Sequence, residues 1–232
     1  MKFIYNSPEL DAQIKQIRQN IRLSMNGVAS ESMQDHGLIY KLNYGTSIPE
    51  LRLLAGKYEK NHDLAQRLWQ LRIRETMIMA TLLQTTDSFT EGNAREWLSD
   101  CQNSELMEQA TMNLYRHLPY ATAFSVECAQ SDQEFECTFG YMLALRITDQ
   151  LTEDQIGRLL QRAVELSDTS NAHLLQSIAF FMAKLCRINE KTAGEVQDSL
   201  GLINNIKSDN KAYILQTVKQ ELIFLGLVAD DF

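Results

Sequence analysis

Apolar residues recur along this chain at helical spacing almost from end to end. Leu10, Ile14, Ile17, Ile21 and Met25 fall on one face of a first helix. Ser7-Pro8-Glu9 opens it with a capping residue, a proline at the first helical position and an acid in the first turn. Asn26-Gly27 ends it, a short segment follows from about Val28 to Gln34, and Gly37 ends that. Leu38 to Thr46 reads as a loop, and Ser47-Ile48-Pro49-Glu50 repeats the helix-start signal. The next helix begins at Asn61 or His62, with Leu64, Ala65, Leu68 and Trp69 inward. The run Ile73 to Leu83 is apolar almost all round, which predicts a helix buried on most sides.

The same grammar continues. Thr90 caps a helix ending near Cys101, Ser104 caps one running to His117, and Pro119 separates that from a helix reaching Ala129. Ser131 to Glu134 and Thr152 to Gln155 read as capping boxes, for helices over 132–148 and 153–167. Further helices are expected at about 171–186, 190–200 and 207–226, with Asp209 and Asn210 either inside the last or delaying its start. About twelve helices with short connections predict an all-α chain of antiparallel neighbours. A long row of pairs without one bundle period predicts an α-α superhelix, a solenoid of HEAT-like pairs forming a single domain over 1–232.

Composition fits this reading. Three prolines and 10 glycines leave few turns for a β-sandwich or barrel. Cys101, Cys128, Cys137 and Cys186 form no CxxC and have no histidine at zinc-ligand spacing, so they are expected as small core residues. No apolar run is long enough to span a bilayer, and no apolar segment of signal-peptide length opens the chain. A cytoplasmic address with reduced thiols is therefore expected.

Charge restricts the possible partners. Residues 1–75 carry 11 basic and 8 acidic side chains, and residues 76–155 carry 3 basic and 13 acidic. Phosphate backbones reward basic surface, so nucleic-acid contacts belong in the N-terminal third. Tyr40 and Lys41 in the loop, with Arg67, Arg72 and Arg74 further on, are the candidates: rings stack on bases and cations hold phosphates. The competing assignments are a loop pinned by its tyrosines and arginines paired with nearby acids such as Glu75. Glu105 and Glu108 lie one turn apart, a spacing that serves acid–base chemistry but also an ordinary solvated helix face. Nucleotide-binding glycine loops, zinc-protease and hydrolase-elbow motifs are absent.

The run from Tyr44 to Ala55, then His62 to Trp69, then Ile73-Arg74-Glu75, resembles the N-terminal signature of AlkD-like DNA alkylation repair proteins. Met112 to Tyr115, Pro119 and Phe135 to Leu143 are similar to that family's central repeats. The resemblance implies a curved stack of HEAT-like repeats around duplex or damaged DNA, and excision of alkylated purines without metal or cofactor. It also implies a tryptophan, an acid four residues later and a more distant arginine. Glu108 stands at the acid, Ser104 at the tryptophan and Thr138 at the arginine. A lost stacking ring forfeits about 1–3 kcal/mol per base. A lost charge-assisted phosphate bond forfeits about 1.5–3 kcal/mol more. Three expectations follow: a nucleic-acid-binding scaffold with weak or no glycosylase activity, a scaffold for a protein partner, and a glycosylase in which Glu108 is catalytic.

Overall fold

The computed structural model describes residues 7–228, and these hold thirteen α-helices, two short 3-10 turns and no strand. The chain divides into two compact units, residues 1–118 and 119–232.

The first unit contains α1 (Pro8–Leu23), α2 (Gly27–Asp35), α3 (Ile48–Ala55), α4 (His62–Gln70), α5 (Arg74–Leu83), α6 (Glu91–Asp100) and α7 (Ser104–Asn113). A 3-10 turn at Tyr115–His117 follows. Helix α5 packs on α3 to one side and α7 to the other, while α4 backs α5 and also touches α1. This explains the continuous apolar run: α5 has helices on several sides, and of its residues only Leu82 escapes full burial.

Large rings fill the space between α4 and α6. Trp69 and Trp97 stack with centroids 4.0 Å apart and planes 2° from parallel. Phe89 meets Trp97 edge-on at 4.8 Å. Each indole keeps a hydrogen-bond partner: Trp69 Nε1 donates to Asp100 Oδ2 at 2.7 Å, and Trp97 Nε1 to Gln66 Oε1 at 3.2 Å. The Tyr115 hydroxyl donates to the Ala94 carbonyl at 2.7 Å.

The second unit contains α8 (Ala121–Ala129), α9 (Glu134–Arg146), α10 (Glu153–Glu165), α11 (Ala172–Leu185), α12 (Glu190–Asn204) and α13 (Ala212–Phe224). Helices α8, α10 and α12 form one row, and α9, α11 and α13 a second. Every second helix thus falls in the same layer, as stacked antiparallel pairs require. Val126, Tyr141, Leu159, Ile178, Phe181 and Val218 are among the side chains of its core.

Local chemistry sets most helix starts. Ser7 accepts from the Leu10 amide, and Pro8 occupies the first turn of α1. Ser47 with Glu50, Thr90 with Asn93, and Thr152 with Gln155 each form a reciprocal capping box. Three expectations need correction. Asn103, not Ser104, caps α7 by accepting from the Leu106 amide, and that helix stops at Asn113 before the 3-10 turn. The segment Ser131 to Glu134 makes no capping box, because Ser131 Oγ is held by the Gln133 amide and α9 starts only at Glu134. Met25 lies beyond the end of α1 and is 62% exposed. Asp209 and Asn210 precede α13 and delay it. All four cysteines are free and buried.

Helices α8 and α9 approach closely at Gly140, where a methyl group would stand 2.4 Å from the Ala129 backbone nitrogen. Alanine in place of a helical glycine normally stabilises by about 0.5–1 kcal/mol. At Gly140 the sign reverses: Gly140→Ala should destabilise by about 1–3 kcal/mol as the two backbones are forced apart. Gly157→Ala in α10, with nothing within 4 Å of the added carbon, should stabilise. Urea midpoints of the two variants against the parent check the pair.

Candidate nucleic-acid interface

The loop between α2 and α3 is fixed by charge. Its residues Asn43 to Ser47 press against the start of α2, where the Asn26 amide donates to the Tyr44 carbonyl at 2.9 Å. Gly45, at φ 73°, makes this possible, since a side-chain carbon there would sit 2.0 Å from the Asn26 carbonyl oxygen. Beneath the loop lies Arg74, only 1% exposed. Its Nε and Nη2 donate to the two carboxylate oxygens of Glu105 at 2.8 and 2.5 Å, a two-pronged pairing that suits the planar guanidinium. Its Nη1 donates to the Thr46 carbonyl at 2.8 Å and to Glu75 Oε1 at 3.0 Å. Glu75, fully buried, accepts in turn from the amides of Tyr44 and Thr46. One guanidinium therefore ties α5, α7 and the loop together.

Tyr40 closes the network. Its hydroxyl donates to Glu105 Oε2 at 2.7 Å and lies 2.9 Å from Asn103 Oδ1. Burial, then the Glu105 charge, pushes the phenol well above its ordinary range. Burial alone would raise the Glu105 carboxyl, but the hydrogen bonds and charge of Arg74 and the Tyr40 hydroxyl outweigh it and hold Glu105 below the usual carboxylate value.

Three of the five proposed contact residues line one pocket. Tyr40, Lys41 and Arg72 surround about 240 Å³ together with Asp100, Gln102 and Asn103. Lys41 is exposed at its rim. Arg72 sits in the turn between α4 and α5 with φ 58°, unusual for a residue with a side chain, and its guanidinium pairs with Asp100 while remaining 41% exposed. The other two arginines stand elsewhere. Arg74 is the buried hub, its donors taken by protein oxygens, so the phosphate role expected of it is corrected. Arg67 pairs with Asp11 of α1 at 2.8 Å.

The positions set by the family resemblance lie in both units. In the first, Ser104 is the half-buried first residue of α7 and Glu108, one turn on, is exposed. The two glutamates of α7 thus divide: Glu105 is spent inside the fold and Glu108 faces solvent. In the second unit Thr138 is 3% exposed, and its hydroxyl donates to the Glu134 carbonyl at 2.7 Å, one turn back on its own helix. Asp100 and Asn103 are site residues that sequence reasoning missed. The asparagine three positions after the end of α6, heading the next helix, was the available signal.

Arg74→Met should cost about 3–5 kcal/mol in urea unfolding, because it strands Glu75 without its cation. The Glu105 carboxyl, depressed when folded, contributes stability that is complete above its unfolded value of about 4.3 and lost as pH falls through the folded value. The stability gap between the parent and Glu105→Gln should therefore narrow as pH drops below about 4, and a gap independent of pH between 7 and 3 would refute this role.

A model of the family described as DNA alkylation repair enzyme matches residues 7–192. No curated protein matches the chain. Among solved structures, the chain is similar to a protein from "a new family of proteins related to the HEAT-like repeat DNA glycosylases with affinity for branched DNA structures". The TM-score is 0.77 at 14% identity, over 92% of this chain and 95% of that one. A designed armadillo repeat protein in complex with a (KR)4 peptide matches more loosely, with TM-score 0.44 at 13% identity over 93% of this chain and 95% of that one. At such identity the first likeness concerns the fold, which is that of the HEAT-like repeats. With most of its length matched by the family model, the chain belongs to the DNA alkylation repair enzyme family.

Proposed function

We propose that this protein is a nucleic-acid-binding scaffold of the DNA alkylation repair family whose base-excision activity is weak or lost. One observation carries the reading. The position that the resemblance assigns to a phosphate-holding arginine is Thr138, buried and hydrogen-bonded to its own helix. A buried hydroxyl already bonded to its own helix offers a phosphate no charge-assisted hydrogen bond. Ser104 likewise offers no ring to stack against a distorted duplex. Glu108 keeps a carboxylate in solvent, where the stabilisation of a developing sugar cation is weakest.

Binding is supported separately. The fold is shared with a protein described as having affinity for branched DNA. The pocket of Tyr40, Lys41 and Arg72 offers two partly exposed cations beside a ring. Lys41 would hold phosphate as a point charge, and Arg72 would exchange Asp100 for it or share it.

The test is gel-shift binding of duplex and four-way-junction DNA at low salt, together with release of methylated bases from alkylated DNA. The expected outcome is binding, stronger to the junction, with base release near background and unchanged in Glu108→Gln. Lys41→Ala should weaken binding several-fold without altering thermal stability. Base release well above background that Glu108→Gln abolishes would identify a working glycosylase. A folded protein that binds neither DNA at low salt would point to a protein partner.

A further inference from the structure

Helix α1 carries a basic face. Lys15, Arg18 and Arg22 follow one another at three and four residues, so they rise along one side of the helix. Together with Asp11, Ile14 and Gln19 they line a groove of about 400 Å³. The acid in this groove is committed, since Asp11 pairs with Arg67 of α4. The cations are not. Among the described residues Lys15 and Arg18 have no carboxylate partner, and Arg22 donates only to the Tyr44 hydroxyl, at 3.4 Å. Arg18 Nε is buried and lacks any acceptor. A buried guanidinium nitrogen without an acceptor is costly, and a bound anion that draws the side chain outward removes that cost.

We infer that this groove is a binding site for the phosphodiester backbone of nucleic acid, separate from the Tyr40 pocket. The inference rests on the nucleic-acid-binding reading and specifies where the backbone lies. The geometry suits a polyanion better than a single ion. From Lys15 to Arg22 the helix rises about 10 Å. Phosphates of one strand succeed one another at about 3.4 Å along a duplex axis, so the row of three cations spans about three phosphate-to-phosphate steps. Two of them are forked guanidinium groups, which pair with phosphate oxygens in two places. An anionic membrane offers phosphates too, but the groove has only Ile14 as apolar lining, too little to enter a bilayer interface.

The experiment measures fluorescence anisotropy of labelled four-way-junction DNA across a salt series. It compares the parent, the double variant Lys15→Ala/Arg22→Ala, and a control Lys57→Ala/Lys60→Ala that removes the same charge from exposed positions of the same unit. Each lost phosphate contact lowers the slope of log affinity against log salt by about 0.9. The α1 variant should therefore have a slope shallower by about 2 and bind on the order of 50-fold more weakly at 0.1 M salt. The control should keep the parental slope, and Arg18→Gln should lose one further contact. Circular dichroism melts establish that each variant is folded. A parent that binds while the α1 variant keeps its slope would overturn this site and leave the broader reading standing. An equal loss in the control would overturn it too, by exposing a general charge effect. A parent that binds no DNA would overturn both. Binding to vesicles of phosphatidylserine and phosphatidylcholine, lost in the α1 variant while its DNA slope is unchanged, would replace nucleic acid with membrane.

Discussion

The buried Arg74 guanidinium is the constraint on which the first unit depends. A charge withdrawn from water is tolerated only if its donors are matched, and here two carboxylates and a carbonyl match them. The partners come from three places: Glu75 beside it on α5, Glu105 on α7, and Thr46 in the loop. Because Glu75 also collects the amides of Tyr44 and Thr46, the loop backbone is satisfied by the same cluster that joins the helices. The position of Tyr40 follows, since its hydroxyl reaches the carboxylate that Arg74 holds. The wall of the candidate pocket is therefore set by an ion pair lying behind it.

The helices were legible because their signals are local. A 3.6-residue period, a Ser-Pro-Glu opening or a Thr-x-x-Gln box needs only its own neighbours, and α1, α3 and α10 start where those signals stand. The misjudged starts at Ser104 and Ser131 are cases where adjacent polar residues compete for one cap. The site was less legible because it is built from pairs distant in sequence. Arg74 and Glu105 are separated by 31 residues, and so are Trp69 and Asp100. Nothing near Arg74 distinguishes it from Arg72, yet one is sealed in the core and the other 41% exposed. Likewise Trp97, on an amphipathic helix, gives no sign of its exposure, and stacking on Trp69 buries it.

Charge looks different once the units are known. Read as thirds, the chain places its acidic excess in the middle, across the resemblance-derived positions at 104, 108 and 138. Divided into units, residues 1–118 hold 13 basic and 14 acidic side chains, and residues 119–232 hold 9 basic and 16 acidic. Most of the excess therefore belongs to the second unit. Within the first, Asp100 and Glu105 are occupied by Arg72 and Arg74, and Asp11 by Arg67. A paired acid projects little field beyond its partner, whereas an unpaired lysine at the surface projects its own, over about 10 Å at 0.1 M salt. Lys15 and Lys41 are exposed cations on a unit that is close to neutral overall. A polyanion approaching α1 or the Tyr40 pocket meets those cations beside carboxylates, Asp11 and Asp100, that are already paired, so the net charge of −8 does not by itself argue against nucleic acid there.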